Sequence, residues 1–178
     1  ARPEGQSAEM LVLHYTGMVD AASAIARLTD PDAKVSAHYL VAEDGEIVRL
    51  VPEACRAWHA GVSSWRGIAD VNSASIGIEI VNPGHEFGYR PFPEAQLEAL
   101  IPLVADIVDR YCIEPRNVVG HSDIAPARKQ DPGELFPWDR LARVRLVVAR
   151  PSGAQSRGER AEQPATPQLP QGHLAYHG

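Results

Sequence analysis

The sequence predicts an α/β fold, a mixed central β-sheet flanked by helices, and three observations carry that expectation. Apolar runs of strand length, "LVLHYTG", "SIGIEIVN" and "NVVG", recur along the chain with helical patterns between them. The segment 36–52, "SAHYLVAEDGEIVRLVP", sets Asp44-Gly45 between two β-rich runs, a strong hairpin signal. The segment 93–111, "PEAQLEALIPLVADIVDRY", repeats its apolar residues at three and four, the period of an amphipathic helix. A length of 178 residues suits one domain, and a hydrophobic content of 44% is enough to build its core.

The first element is "EMLVLHYTG", 9–17, where four apolar residues run into His14 and a Gly follows. It reads as a buried strand that delivers His14 at its C-terminal end. Asp20 then caps an Ala-rich helix, "DAASAIARL". The hairpin follows. The segment 55–67, "CRAWHAGVSSWRG", is rich in Gly, Ser and Trp and has no clean period, so it is expected as a loop on the functional side. "SIGIEIVN", 75–82, suits an interior strand, with Glu79 set among isoleucines. Pro93 takes a favoured first helical position. Leu97, Leu100, Ile101, Val104, Val108 and Tyr111 give that helix one apolar stripe, and Pro102 is expected to bend it. "NVVG" reads as a short strand ending at His121, and "PWDRLARV" as a last short helix.

Composition changes after Arg150. Residues 1–150 are expected as the folded domain. Residues 151–178 are Pro, Gln, Gly, Ser and Arg with few apolar side chains, and are expected as a disordered or extended tail. His173 and His177 lie in it and are not expected to hold metal. The net charge of -6 argues against a nucleic-acid or anionic-membrane surface, which needs clustered Lys and Arg. No apolar run reaches the ~20 residues of a membrane span. Cys55 and Cys112 form neither a disulfide framework nor a Cys-x-x-Cys motif. Cys112, at the end of the long helix, is expected in a buried packing role. Cys55 has His59 four residues on, without any local signature of a nucleophile.

In sheets of this kind, sites gather at the C-terminal ends of the strands. His14 and His121 both stand at such ends, so two histidines far apart in sequence can meet. With Asp131 they would make two imidazoles and a carboxylate, a donor set for a catalytic Zn²⁺ that keeps a fourth position for water. Their spacing matches no short metal motif. The alternative is two hydrogen-bonded histidines at strand ends and an Asp shaping the turn before Pro132.

"LVLHYTG", "SAHYLV", "AWHAGVSSWRG", "SIGIEIVN" and "GHSDIAPARKQDPGELFPW" together resemble the zinc-dependent N-acetylmuramoyl-L-alanine amidases of the Amidase_2 family, related to the T7-type lysozymes and the peptidoglycan recognition proteins. The likeness runs from Glu9 to Val144, and is nearest to the branch that contains the anhydromuramyl-peptide and AmiD-like enzymes. The resemblance implies the peptidoglycan-recognition type of α/β fold. It implies Zn²⁺ held by His14, His121 and Asp131, with Glu79 as general base and Lys129 stabilising the transition state. The phage branch carries a tyrosine where this chain has Ala37, which leaves the base role to Glu79. The implied reaction is hydrolysis of the amide between the lactyl group of N-acetylmuramic acid and L-alanine. The implied partner is peptidoglycan or its anhydro-muropeptide fragments. The rival expectation is a recognition module that binds muropeptide without cutting it.

Other residues keep two readings. Glu79 could instead face outward at a sheet edge, since alternation sets it opposite Ile78 and Ile80. Asp123 is expected to orient its loop or to cap "IAPAR", and Arg128 either to contact the substrate's peptide carboxylates or, by default, to be solvated. His38 and His59 either line the cleft or serve structure, and His85 shapes the cleft wall. Trp58, Trp65 and Tyr89 either stack on substrate or pack. The compartment expected is the cytoplasm, with the periplasm open should a signal or anchor precede Ala1. No oligomeric state is implied.

Overall fold

The computed structural model describes residues 1–148. The expected tail, with His173 and His177, lies outside the described residues. In chain order the strands are β1 (Met10–Tyr15), β2 (Tyr39–Val41), β3 (Ile47–Arg49), β4 (Ser75–Ile80) and β5 (Val118–Gly120). The α-helices are α1 (Ala21–Thr29), α2 (Val71–Ala74), α3 (Gly84–Phe87), α4 (Glu94–Tyr111), α5 (His121–Ile124) and α6 (Trp138–Arg143). The strands form one sheet in the order β3-β2-β4-β1-β5, parallel except for the β2–β3 hairpin.

The sequence explains this order. β1 and β4 are central and buried on both faces, so they read as apolar runs with little alternation. Their register pairs Met10 with Ser75 and runs to Tyr15 opposite Ile80, which sets His14 beside Glu79. Alternation then sorts the side chains. Leu11, Leu13, Ile76, Ile78 and Ile80 share one core with Leu97, Leu100, Val104 and Ile107 of α4. Met10 and Val12 join a second cluster with Ala60, Val71, Val119 and Ile124. A third holds Leu40 and Val81 against Ala24 and Ile25 of α1. His14, Gly77 and Glu79 continue the row of Val12 and so lie between these two smaller clusters. One face of the sheet is thus a continuous core, and the other is interrupted by a polar strip.

Most expected elements are present. Asp20 caps α1, its side chain accepting from the Ser23 N–H. Asp44-Gly45 turns the hairpin, Gly45 adopting φ 91°. Pro93 stands just before α4 and Pro102 inside it, exposed, so the carbonyl it leaves without a partner can meet water. Three details differ. The buried stripe of α4 includes Ile107, whereas Ile101, Val108 and Tyr111 are only half-buried against the core. Cys112 is exposed in the left-handed cap of α4, which turns its side chain outward, so it plays no buried packing role. The helices α2, α3 and α5 were not anticipated, because four residues are too short to show a helical period.

Candidate metal centre and cleft

His14 is the fifth residue of β1. β5 pairs with β1 so that Gly120 lies opposite Leu13, and the next residues on the two chains are His14 and His121. Parallel pairing therefore brings together two histidines separated by more than a hundred residues. The loop after α5 returns to the same point. Asp123 Oδ2 accepts from the Gly120 N–H at 2.7 Å, and the Ser122 N–H donates to the Asp131 carbonyl at 2.9 Å. Gly120 is needed for this closure, since a Cβ there would lie 2.7 Å from Cδ of Pro132.

The result is a compact cluster. His14 Nδ1 lies 2.9 Å from His121 Nδ1, and each is 3.0 Å from Asp131 Oδ2. The three residues are 1, 4 and 6% exposed. His121 Nε2 is 3.0 Å from the Ala60 carbonyl, which can only accept. His121 therefore carries its proton on Nε2 and turns a bare Nδ1 inward. Burial, with the neighbouring His121, lowers the His14 pKa to about 4 against the pull of Asp131. Burial alone would raise the Asp131 pKa, but the His121 and His14 rings facing its carboxylate outweigh that and hold it low. Two imidazoles and one carboxylate, all buried and convergent, are the chemistry of a divalent cation site of the zinc class.

Residues 4–134 match the family model Amidase_2, described as N-acetylmuramoyl-L-alanine amidase. This chain belongs to the Amidase_2 family. It is 51% identical over 146 residues to the N-acetylmuramoyl-L-alanine amidase AmiD of Escherichia coli, covering 75% of this chain and 52% of AmiD. It is 37% identical over 159 residues to the 1,6-anhydro-N-acetylmuramyl-L-alanine amidase AmpD of Enterobacter cloacae, covering 79% of this chain and 82% of AmpD. The solved complex of Escherichia coli AmiD with anhydro-N-acetylmuramic acid-L-Ala-D-gamma-Glu-L-Lys superposes with a TM-score of 0.73 at 45% identity. That alignment covers 86% of this chain and 63% of AmiD. The chain thus spans about half the length of AmiD and most of AmpD.

In this Amidase_2 chain the cluster of His14, His121 and Asp131 lines the floor of a cleft of about 360 Å³, within the range of small-ligand sites. Glu79 and Lys129 both line it, as do Tyr15, Trp58 and His85. Glu79 is in the middle strand of the sheet, so the edge reading of this residue falls. Its Oε2 is buried without a hydrogen-bond partner among the described residues. Burial, reinforced by the charge of Asp131 and opposed by Lys129, raises its pKa well above the usual carboxylate range. Lys129 is close enough to act on both Glu79 and His14.

Several residues differ from expectation. Arg128 is more than solvated: its Nη2 donates to the carbonyls of Ala60 and Val62 at 2.9 and 2.6 Å. It thereby ties the Gly-Trp loop to the Asp131 loop. Asn72 Oδ1 holds the same loop, accepting from the N–H groups of His59 and Ala60. Trp58 is 54% exposed at the cleft. Trp65 packs against the second core cluster and donates to Asn117. Tyr89 is structural, its hydroxyl donating to the Pro132 carbonyl and accepting from the Leu135 N–H. His85 stacks on Tyr89 at 4.3 Å and bridges Tyr15 to Glu134 on the cleft wall. His38 is wholly buried, accepting from the Gly77 N–H and reaching the Cys55 carbonyl. His59 touches the cluster itself, its Nδ1 3.0 Å from His14 Nε2. Sequence reading left this contact out, because His59 has no metal-motif spacing to either ligand. No helix among the described residues is long and apolar enough to cross a membrane.

Proposed function

We propose that this chain hydrolyses the amide between the lactyl group of N-acetylmuramic acid and L-alanine of the peptidoglycan stem peptide. The substrate is peptidoglycan or its anhydro-muropeptide fragments. The observation that carries the proposal is the convergence of His14 Nδ1, His121 Nδ1 and Asp131 Oδ2 on one point beneath a cleft that also holds Glu79 and Lys129. AmiD, 51% identical, is an enzyme of this name, and its solved complex contains an anhydro-muropeptide.

His14, His121 and Asp131 would hold a zinc ion, which when bound polarises a carbonyl and brings the pKa of a coordinated water to about 7. The chain's own groups supply the proton traffic. Glu79, with its raised pKa, accepts the proton of the attacking water as the water oxygen bonds to the amide carbon. It returns that proton to the departing nitrogen as the C–N bond breaks. The products are a lactyl carboxylic acid and the free amino group of the peptide. Lys129 sets a fixed positive charge where the carbonyl oxygen gains negative charge.

The test joins metal analysis of the purified chain to mass spectrometry of muropeptide digests, comparing anhydro and reduced sugars. One bound zinc and release of free stem peptide are expected. Tight muropeptide binding without cleavage would replace the proposal with the recognition-module reading.

A further inference from the structure

Ser75 opens β4, and its Oγ lies 2.6 Å from the Val71 carbonyl and 3.2 Å from His59 Nε2. A hydroxyl has one proton. A carbonyl only accepts, so that proton lies between Ser75 Oγ and Val71 O. The reverse choice would leave two oxygens 2.6 Å apart with no hydrogen between them. Ser75 therefore turns a lone pair toward His59, and His59 Nε2 must carry the ring proton. In the neutral ring Nδ1 is then an acceptor. Its partner, 3.0 Å away, is His14 Nε2, which must donate. The single proton of neutral His14 is thereby placed on Nε2, and its Nδ1 is left bare toward Asp131 and His121.

The ring of His59 is also seated by shape. It lies across Gly77, where a Cβ would fall 2.4 Å from its Cγ. His14 and His38 flank it edge-on, at centroid distances of 5.1 and 5.8 Å. The ring is 8% exposed, so its hydrogen bonds are shielded from water. His121 needs no such partner, because the Ala60 carbonyl already fixes its tautomer.

We infer that His59, oriented by Ser75 and seated on Gly77, is the positioning residue that sets the tautomer of His14 and aims its Nδ1 into the metal centre. The inference rests on the zinc reading of that centre. Hydrogen-bond partners of this kind orient a metal-ligating imidazole and raise its basicity, and their loss costs about 10- to 100-fold in metal affinity.

The experiment measures zinc affinity by chelator competition on the metal-free chain, beside ¹⁵N spectra of its histidine rings. His59→Phe keeps an aromatic ring but removes both nitrogens, and is expected to weaken zinc binding by about 10- to 100-fold. His59→Gln offers an acceptor and a donor at similar spacing, and is expected to recover most of the loss. The spectra should show Nε2-protonated His14 in the parent chain and a mixture of tautomers in Ser75→Ala. Equal affinity in all three chains, or equal loss in Phe and Gln, would overturn the inference, and so would Nδ1-protonated His14 in the parent. Should His59→Phe not fold, the tautomer spectra of the parent and of Ser75→Ala decide alone. Failure of the parent chain to bind zinc would instead overturn the zinc reading, while the spectra still judge the role of His59.

Discussion

Glu79 and Asp131 are two carboxylates of one cleft pushed in opposite directions by their surroundings. Asp131 has two imidazole partners that hold it ionised; Glu79 has none among the described residues, and its buried Oε2 is unmatched. In the proposed reaction that difference separates a metal ligand from a proton carrier. Glu79→Gln is expected to retain zinc and lose about 10²- to 10⁴-fold in kcat, the range of a lost general acid–base group. Loss of metal in that variant would show Glu79 to be a ligand or a support instead. Asp131→Ala should reduce zinc content and turnover together, measured by metal analysis and by peptide release. Full activity without bound metal would remove the assignment. The histidines at strand ends were legible in the sequence as pattern, since a strand-length apolar run ending in His needs no partner to be seen. The contact between His59 and His14 was not, because hydrogen-bond polarity depends on where Ser75 and Val71 lie in space.

Two devices tie the elements together. One is the bare backbone of β4 at Gly77. Gly77→Ala would push a Cβ into the His59 ring, and the central strand has no room to retreat. A stability loss of about 1–3 kcal/mol is expected, with weaker zinc binding, both read by denaturant titration and chelator competition. Unchanged stability would mean that the ring moves freely. The other device is Glu53, which joins β2 to α4. It accepts from Tyr39, Arg110 and Tyr111, at 2.7 Å from the Tyr39 hydroxyl. The Arg110 bonds come first among the causes that lower its pKa to about 2, against burial and with help from Tyr39. A depressed carboxylate pKa contributes stability above its unfolded value, lost as pH falls through the folded one. The stability gap between the parent chain and Glu53→Gln should therefore be present at pH 6 and close between the ordinary 4.5 and about 2. A gap independent of pH would trace the effect to packing.

At the scale of the whole molecule, the cluster of His14, His121 and Asp131 is a clasp. It joins the C-terminal ends of β1 and β5 to the loop that carries Asp131. A ligand that binds only the folded state stabilises it by about 2.7 kcal/mol at a hundredfold excess over Kd. Zinc should raise the melting temperature by several degrees, and a chelator should reverse the rise. An unchanged melting temperature across saturating zinc would show that the three side chains hold no ion. By itself the sequence determined the α/β class, the hairpin at Asp44-Gly45, the long helix and the strand ends that carry His14 and His121. These are local matters, set by hydrophobic period, turn chemistry and propensity, which neighbouring residues write directly into the chain. Only the tertiary structure decided that β4 is the middle strand, that Glu79 lies beside the cluster, that Arg128 clamps a loop and that His59 backs His14. Those follow from parallel pairing and close packing between segments far apart in the chain, where no periodicity reaches.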